Sequence, residues 1–169
     1  MGEDPSSPSL DAGNDKAAGQ KAPRRPRKRR ASARSLARRA ACQALYQQFL
    51  TGDHARDLIA QFSDFPGLDR VDEELFREVL MGVETHREAL DEMIEERADR
   101  PVDQLDPIEH AVLLIGLYEL RERIETPYRV VLNEALELAH EFGGEDGHKF
   151  VNALLDKASL TLRKVERAR

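Results

Sequence analysis

Residues 126–165 have the sequence TPYRVVLNEALELAHEFGGEDGHKFVNALLDKASLTLRKV, which predicts two consecutive helices. Thr126-Pro127 is typical of a helix start, because a proline in the first turn has no backbone hydrogen bond to lose. Gly143 and Gly144 are typical of a helix end. The second helix is predicted from about Gly147. Its apolar residues share one face that we expect to pack on a core: Val151, Leu154, Leu155, Ala158, Leu162 and Val165.

Helical periodicity extends back from this stretch to about residue 33. Asp106-Pro107-Ile108-Glu109 places a capping aspartate, a proline and a carboxylate at the start of a helix that is apolar almost all round. We therefore predict that it is the buried central helix. A first helix is predicted over residues 33–50, and three shorter ones lie between residues 53 and 99. No segment has the alternation of a strand, so the predicted fold is all-α, a bundle of about seven helices.

The composition excludes several classes of protein. The chain has 169 residues, of which 40% are hydrophobic, and this suits one main domain with a core. Its single cysteine, Cys42, excludes an internal disulfide and fits a reducing compartment. No apolar run approaches the roughly 18 residues that span a membrane, and no apolar stretch follows the N-terminal charges as in a secretory signal. We expect a cytoplasmic protein without a membrane partner.

Charge divides the chain into two parts. Residues 1–39 contain eleven Lys or Arg and four Asp or Glu, whereas the remainder contains fifteen basic and twenty-eight acidic residues. Residues 1–32 have Leu10 as their one large apolar residue and are predicted to be a disordered basic tail, followed by a helical domain over residues 33–169. A basic arm on an acidic body is typical of nucleic-acid-binding proteins. The alternative is a tail that only keeps the protein soluble.

The sequence has no constellation typical of catalysis. No two of the five histidines lie three or four residues apart, and no cysteine cluster accompanies them, so we predict no metal site. The GGEDG stretch at residues 143–147 is interpreted as a turn between helices and not as a phosphate loop. Cys42 lies at the edge of an apolar helix face and is interpreted as a packed residue. We predict no catalytic residue, no cofactor and no enzymatic activity.

The first helix carries a cluster of polar residues on one side. Arg39, Gln43 and Tyr46 fall within roughly 60° of one another, away from the alanine-rich apolar face. Arg34 and Arg38 are predicted to extend this basic surface. Guanidinium groups neutralise phosphate, an amide can hydrogen-bond a base edge, and a phenol ring can stack on an unpaired base. The pattern therefore suits single-stranded RNA, and a solvated arginine-rich face is the alternative.

A second cluster begins the last helix. Lys149 and Asn152 point away from its apolar face, and Phe150 lies at the edge of that face. Phe150 suits either the rim of the core or a stacking platform for a base. Asp146 is interpreted as a helix cap.

Three segments together resemble the NusB family. They are ARRAACQALYQ in the first helix, DPIEHAVLLIGLYEL in the central helix and TPYRVVLNEALELAHEFGGEDGHKFVNALLDK near the end. The resemblance covers about residues 33–165, and the last segment is the most specific because it is long and its spacing is fixed. It implies an all-α fold of two packed helical subdomains. The basic tail is longer than is usual in the family, so nothing is carried over to it.

The resemblance also implies a function. Members of the family bind boxA, a short single-stranded element of ribosomal RNA transcripts, together with NusE, a ribosomal small-subunit protein. They then join RNA polymerase and suppress premature termination. By this resemblance the RNA-binding residues are Arg34, Arg38, Arg39, Gln43, Tyr46, Lys149, Phe150 and Asn152. The candidates for NusE are Tyr128 and the acidic residues Glu109 and Glu134, since a ribosomal protein is expected to be basic.

Two other functions are compatible with the sequence. A related helical domain occurs fused to ribosomal RNA cytosine methyltransferases, so one alternative is a detached RNA-binding domain that works with such an enzyme. The other is an adaptor that binds proteins and no RNA. Added salt distinguishes the adaptor, because phosphate contacts release counterions and make RNA affinity fall steeply with salt.

Overall fold

The computed structural model describes residues 30–64 and 66–169, and this part of the chain is all-α, as predicted. Its eight α-helices are α1 (Ala33–Thr51), α2 (Ala55–Ser63), α3 (Glu73–Thr85), α4 (Arg87–Glu95), α5 (Pro107–Glu122), α6 (Tyr128–Phe142), α7 (Gly147–Leu162) and α8 (Lys164–Arg167). Two short 3₁₀ turns, Leu68–Arg70 and Val102–Gln104, precede α3 and α5. The tail predicted over residues 1–32 lies outside the described residues except for its last three.

Side-chain hydrogen bonds cap the starts of three helices, and the one at α5 agrees with the prediction for Asp106. The Asp106 carboxylate accepts hydrogen bonds from the backbone N–H groups of Ile108 at 2.9 Å and Glu109 at 3.2 Å. Ser32 and Asp72 cap α1 and α3 in the same manner. These side chains satisfy backbone donors that have no partner within the helix, so the starts of α1, α3 and α5 are encoded locally.

The centre of the fold is α5. Every residue from His110 to Leu120 is buried, and α5 packs against α1, α3, α4, α6 and α7. Gly116 brings α7 close to α5, because a Cβ atom at this position would lie 2.7 Å from the Leu155 side chain. Buried residues of these helices form one apolar cluster. The two helical halves implied by the family resemblance therefore share α5.

The C-terminal end differs from the prediction. The predicted apolar face includes Val165, but α7 ends at Leu162, and Val165 lies in α8 with 72% of its surface exposed. The cause is Arg163, which is buried and donates hydrogen bonds to backbone carbonyls at the end of α5. The chain turns at this arginine because its guanidinium, and not an apolar side chain, covers the end of the central helix.

The acidic run over residues 88–99 predicts a solvated surface, but Asp91 takes part in a packed cluster. Its carboxylate oxygens lie 2.6 Å from Nε2 of His110 and 2.8 Å from Nε of Arg87. The Phe49 ring stacks on His110 at 5.0 Å, and the guanidinium of Arg87 covers that ring at 4.9 Å. Burial opposes ionisation of Asp91, but the hydrogen bond from His110 and the charge of Arg87 outweigh it. The pKa of Asp91 is therefore lowered.

This lowered pKa predicts a pH-dependent contribution to stability. A carboxylate with a lower pKa in the folded chain stabilises the fold above its unfolded pKa, roughly 4, and this contribution is lost as the pH falls through the folded value. We expect the stability difference between the natural protein and Asp91→Asn to be largest above about pH 5 and to shrink below about pH 4. Urea unfolding at a series of pH values measures this difference, and a constant difference across that range would contradict the expectation.

Candidate nucleic-acid interface

Three of the residues predicted on α1 are brought together on one wall of a groove. Arg39, Gln43 and Tyr46 line it, each about one turn further along α1. The opposite wall is formed by residues of the segment 66–71, and the groove encloses about 680 Å³. Arg70 on that wall adds a second guanidinium. The groove therefore combines cations, an amide and a phenol ring, and most of its other lining residues are apolar.

Arg39 connects α1 with the C-terminal end of α6. Its guanidinium forms an ion pair with Glu141 and lies 5.8 Å from the centre of the Phe142 ring. The side chain is 45% exposed. Exposed ion pairs of this kind contribute at most about 1 kcal/mol, so a phosphate group can replace Glu141 as the partner of Arg39.

The two other arginines of the predicted surface lie in different environments. Arg34 is 61% exposed and lies 3.7 Å from a carboxylate oxygen of Asp72, so its guanidinium is open to solvent at the start of α1. The prediction for Arg38 is wrong in placing it on this surface, because its side chain is only 3% exposed. Arg38 points into the fold from the face of α1 that also carries Leu45 and Cys42.

Arg38 is held by a buried carboxylate of α5. Its Nε and Nη2 atoms donate hydrogen bonds to the two carboxylate oxygens of Glu119, at 2.9 and 2.7 Å. Burial opposes the charged form of Arg38, but these bonds and the negative charge of Glu119 outweigh it and raise the pKa of Arg38. The guanidinium is therefore occupied and shielded from solvent, which removes Arg38 from the candidate RNA-binding residues.

The start of α7 presents its predicted residues around one turn. Lys149 is exposed and lies 3.2 Å from a carboxylate oxygen of Asp146, which pairs with this lysine instead of capping the helix as predicted. Asn152 is exposed, whereas Phe150 is half-buried, packs on the core and carries the Arg100 guanidinium 5.1 Å from its ring centre. At 100° per residue around the axis of α7, Asn152 and Phe150 lie about 160° apart, with Lys149 between them. These two side chains therefore lie on opposite flanks of the helix.

Two histidines adjoin these clusters in the sequence, and no sequence pattern predicts that they pair. The rings of His140 at the end of α6 and His148 at the start of α7 stack with their centres 4.1 Å apart and their planes 26° apart. His140 directly precedes Glu141, the partner of Arg39. The seven residues that separate the two histidines in sequence contain a turn, so no helical spacing predicts their contact.

The three residues predicted to bind a protein partner do not form one patch. The carboxylate of Glu134 faces α1, where it accepts a hydrogen bond from the Ser35 hydroxyl at 2.8 Å and lies 3.8 Å from Arg38. Glu109 lies in the first turn of α5, and burial together with the charge of Asp106 raises its pKa. Glu134 is therefore engaged within the fold.

Tyr128 lies at the other end of the central helix from Glu109. Its backbone N–H donates a hydrogen bond to Glu166, and the guanidinium of Arg167 lies 4.8 Å from its ring centre. The buried Arg163 joins this corner to the C-terminal end of α5. Because α5 rises about 1.5 Å per residue, roughly 20 Å separates this corner from Glu109.

The described residues contain no metal site, no exposed thiol and no membrane-spanning helix. In residues 30–64 and 66–169 no three His, Cys, Asp or Glu side chains are placed to hold a metal ion. Cys42 is buried, and desolvation raises the pKa of its thiol to about 12, which agrees with its interpretation as a packed residue. No helix in this part of the chain is long and apolar enough to cross a bilayer.

The model of the NusB family matches residues 35–159 of the chain, a range that contains the groove wall on α1 and the start of α7. The chain belongs to the NusB family. This membership confirms the resemblance seen in the sequence, and the match includes both clusters of the candidate interface.

Similar proteins agree with NusB membership. The transcription antitermination proteins NusB of Burkholderia mallei (strain SAVP1) and Burkholderia pseudomallei (strain K96243) are each 48% identical over 135 residues, which cover 80% of this chain and 93% of the relative. The solved structure of T. maritima NusB matches with a TM-score of 0.68 and 25% identity, over 75% of this chain and 90% of that one. The predicted fold is thus confirmed as the NusB fold.

Proposed function

We propose that the protein is a non-enzymatic transcription antitermination factor that binds boxA-type single-stranded RNA of ribosomal RNA transcripts together with NusE. The observation that carries this proposal is the grouping of Arg39, Gln43 and Tyr46 on one groove wall, connected through the end of α6 to the start of α7. Family membership and the antitermination role of the named relatives support it.

The chemistry of the groove suits an unpaired RNA strand. Arg39 and Lys149 are exposed cations whose present partners, Glu141 and Asp146, are themselves exposed carboxylates. Phosphate groups can therefore replace them at small cost. Tyr46 is 39% exposed and offers part of its ring for stacking. Because residues 40–169 carry a large excess of carboxylates, RNA is repelled elsewhere on this domain and directed to these few cations.

The remaining predicted residues take different places in the proposal. Arg34, at the open start of α1, extends the RNA surface, whereas Asn152 and Phe150 contact RNA from two sides of α7. Glu109 and Tyr128, at opposite ends of α5, remain candidates for contacting NusE. Glu134 is no longer a candidate, because its carboxylate accepts a hydrogen bond from Ser35 within the fold. The complex then joins RNA polymerase in the cytoplasm.

Co-purification from a bacterial lysate tests this function. The tagged full-length chain is expected to recover both NusE and leader RNA of the ribosomal transcripts. Arg39→Ala should reduce the RNA without reducing NusE, because Arg39 contacts Glu141 and Phe142 and neither of the NusE candidates Glu109 and Tyr128. Recovery of NusE without any RNA would support the adaptor function instead. Recovery of an RNA methyltransferase in place of NusE would favour the detached-domain function, and either result contradicts the proposal.

Phe150 provides a separate prediction, because its ring both packs on the core and lies beside Lys149. Phe150→Ala is expected to lower the free energy of unfolding by about 1–3 kcal/mol, less than the roughly 3–5 kcal/mol of a sealed core phenylalanine, since the ring is only half-buried. The folded variant should also lose roughly 1–3 kcal/mol of RNA binding, as for a lost base stack.

Denaturant melts and RNA titrations on the same Phe150→Ala protein separate these two effects. Phe150→Tyr serves as the matched control, since it keeps an aromatic face and should keep most of the RNA affinity. Native RNA affinity of folded Phe150→Ala would show that the ring only packs.

A further inference from the structure

The stacked imidazoles of His140 and His148 join the end of α6 to the start of α7. On one side, His140 adjoins Glu141 and Phe142, the two residues of α6 that Arg39 contacts. On the other side, His148 lies about 40° from Asn152 around α7, so the two share one flank of that helix. Through its neighbours in sequence, the histidine pair therefore adjoins both the α6 partners of Arg39 and the α7 cluster.

Nothing else in the described residues accounts for the positions of these two rings. Neither imidazole takes part in a hydrogen bond or ion pair within residues 30–64 and 66–169, although other histidines of the chain do. His140 is exposed, and His148 is partly covered. One face of the His140 ring is thus backed by His148, while His140 as a residue remains exposed to solvent.

An imidazole that is backed by another ring is a suitable partner for an unpaired base. Bases that are not in a helix stack on the flat side chains of Phe, Tyr, Trp and His, and such stacking tolerates different bases because each has a π-face. A backed ring also loses less conformational freedom on binding, because its orientation is already set. The ring of Phe150, by contrast, already carries the Arg100 guanidinium on the other flank of α7.

We infer that the His140–His148 stack is a base-stacking platform for single-stranded RNA, with His140 as the contacting ring and His148 as its support. The inference rests on the proposed RNA-binding function and adds a site to it. It places one base over the C-terminal end of α6, between the phosphates held by Arg39 and those held by Lys149.

Titrations with a short boxA-type RNA test the platform. His140→Ala is expected to weaken binding by roughly 5- to 150-fold, the range for one lost base stack. His140→Phe should stay within about threefold of the natural protein, because it keeps the flat ring and removes only the nitrogens. His148→Ala should give a smaller loss than His140→Ala. Equal affinities of His140→Phe and His140→Ala, or no loss in His140→Ala, would overturn the inference.

Three controls make the result specific. His54→Ala removes another exposed histidine, one that pairs with Glu84 at 3.1 Å and is not among the residues assigned to the RNA surface, and should leave RNA affinity unchanged. Circular dichroism checks that each variant is folded. An RNA series with single abasic positions should lose affinity at one position in the natural protein, and that loss should disappear in His140→Ala.

The outcomes separate this inference from the function on which it rests. If the natural protein does not bind the RNA, the proposed function fails. If the natural protein binds and Arg39→Ala weakens binding while His140→Ala does not, the proposed function stands and only the platform fails.

Discussion

Replacing Arg163 with alanine is expected to lower the free energy of unfolding by about 3–5 kcal/mol, the cost of removing one partner from a buried charged network. The side chain is 4% exposed. Its guanidinium donates hydrogen bonds to four backbone carbonyls, those of Leu120, Thr126, Glu119 and Arg123, at distances of 2.7 to 3.1 Å. Without it, the carbonyls of Leu120 and Thr126 lose the donor that Arg163 supplies, whereas those of Glu119 and Arg123 keep a hydrogen bond from a backbone N–H group. Each unsatisfied buried group costs about 1–3 kcal/mol.

Two further variants give this prediction its controls. Arg163→Lys keeps the charge but has only three donors on one nitrogen, so it should recover part of the lost stability. Arg167→Ala removes a neighbouring, more exposed arginine that pairs with Asp156 and should cost less than about 1 kcal/mol. Urea unfolding followed by circular dichroism measures all three. A value for Arg163→Ala within about 1 kcal/mol of the natural protein would mean that the carbonyls find other partners.

Removing either member of the buried pair between Arg38 and Glu119 is expected to destabilise the fold about as much as Arg163→Ala does. Arg38→Ala and Glu119→Ala should each lower the free energy of unfolding by about 3–5 kcal/mol, because each leaves a buried charge without its hydrogen-bonded partner. The double replacement Arg38→Met with Glu119→Leu removes both charges and keeps their volume, so it should be much less costly than either single change. Urea unfolding of this double variant and of the single variants Arg38→Met and Glu119→Leu completes a double-mutant cycle that measures the coupling, and additive effects would contradict it.

RNA binding by an Arg38 variant distinguishes the buried position seen in the structure from the surface position predicted from the sequence. If Arg38 bound RNA directly, as the sequence suggested, Arg38→Ala would weaken RNA binding by the folded protein. Because its guanidinium is buried and held by Glu119, we expect native RNA affinity once the loss of stability is allowed for. The adjacent Arg39 provides the comparison, since its side chain is 45% exposed.

The fold was largely predictable because its signals are local. Asp106 and Pro107 are a local signal for the start of α5. The spacing of apolar residues in α5 and α7 is that of a helix with a buried face. The end of α7 was not predictable, because it depends on hydrogen bonds between Arg163 and carbonyls about 40 residues earlier in the chain. Val165 has helical spacing with the buried face, and no local feature shows that the chain has already turned.

The candidate site was predictable only in part for a related reason. Helical spacing grouped Arg39, Gln43 and Tyr46, and the structure places them on one groove wall. Spacing did not show that Arg38 is buried, because its partner Glu119 is 81 residues away and arginine is seldom buried.

Partner side chains on other helices could not be found from spacing at all. The contact between Arg39 and Glu141 and the stack of His140 on His148 join different helices, so they depend on tertiary packing. Arg70, on the far wall of the groove, was missed because it lies in a short turn with no periodic pattern.

The salt dependence of RNA binding tests the central claim most directly, since that claim is an RNA surface made of α1 and the start of α7. A boxA-type RNA is titrated at several salt concentrations with the natural protein, Arg39→Ala, Lys149→Ala and the control Arg56→Ala, whose side chain is 80% exposed on α2. The account predicts that affinity of the natural protein falls steeply with salt and that Arg39→Ala and Lys149→Ala each reduce the logarithmic slope by roughly 0.7–1. Arg56→Ala should behave as the natural protein. Unchanged affinity and slope in both Arg39→Ala and Lys149→Ala would contradict the account.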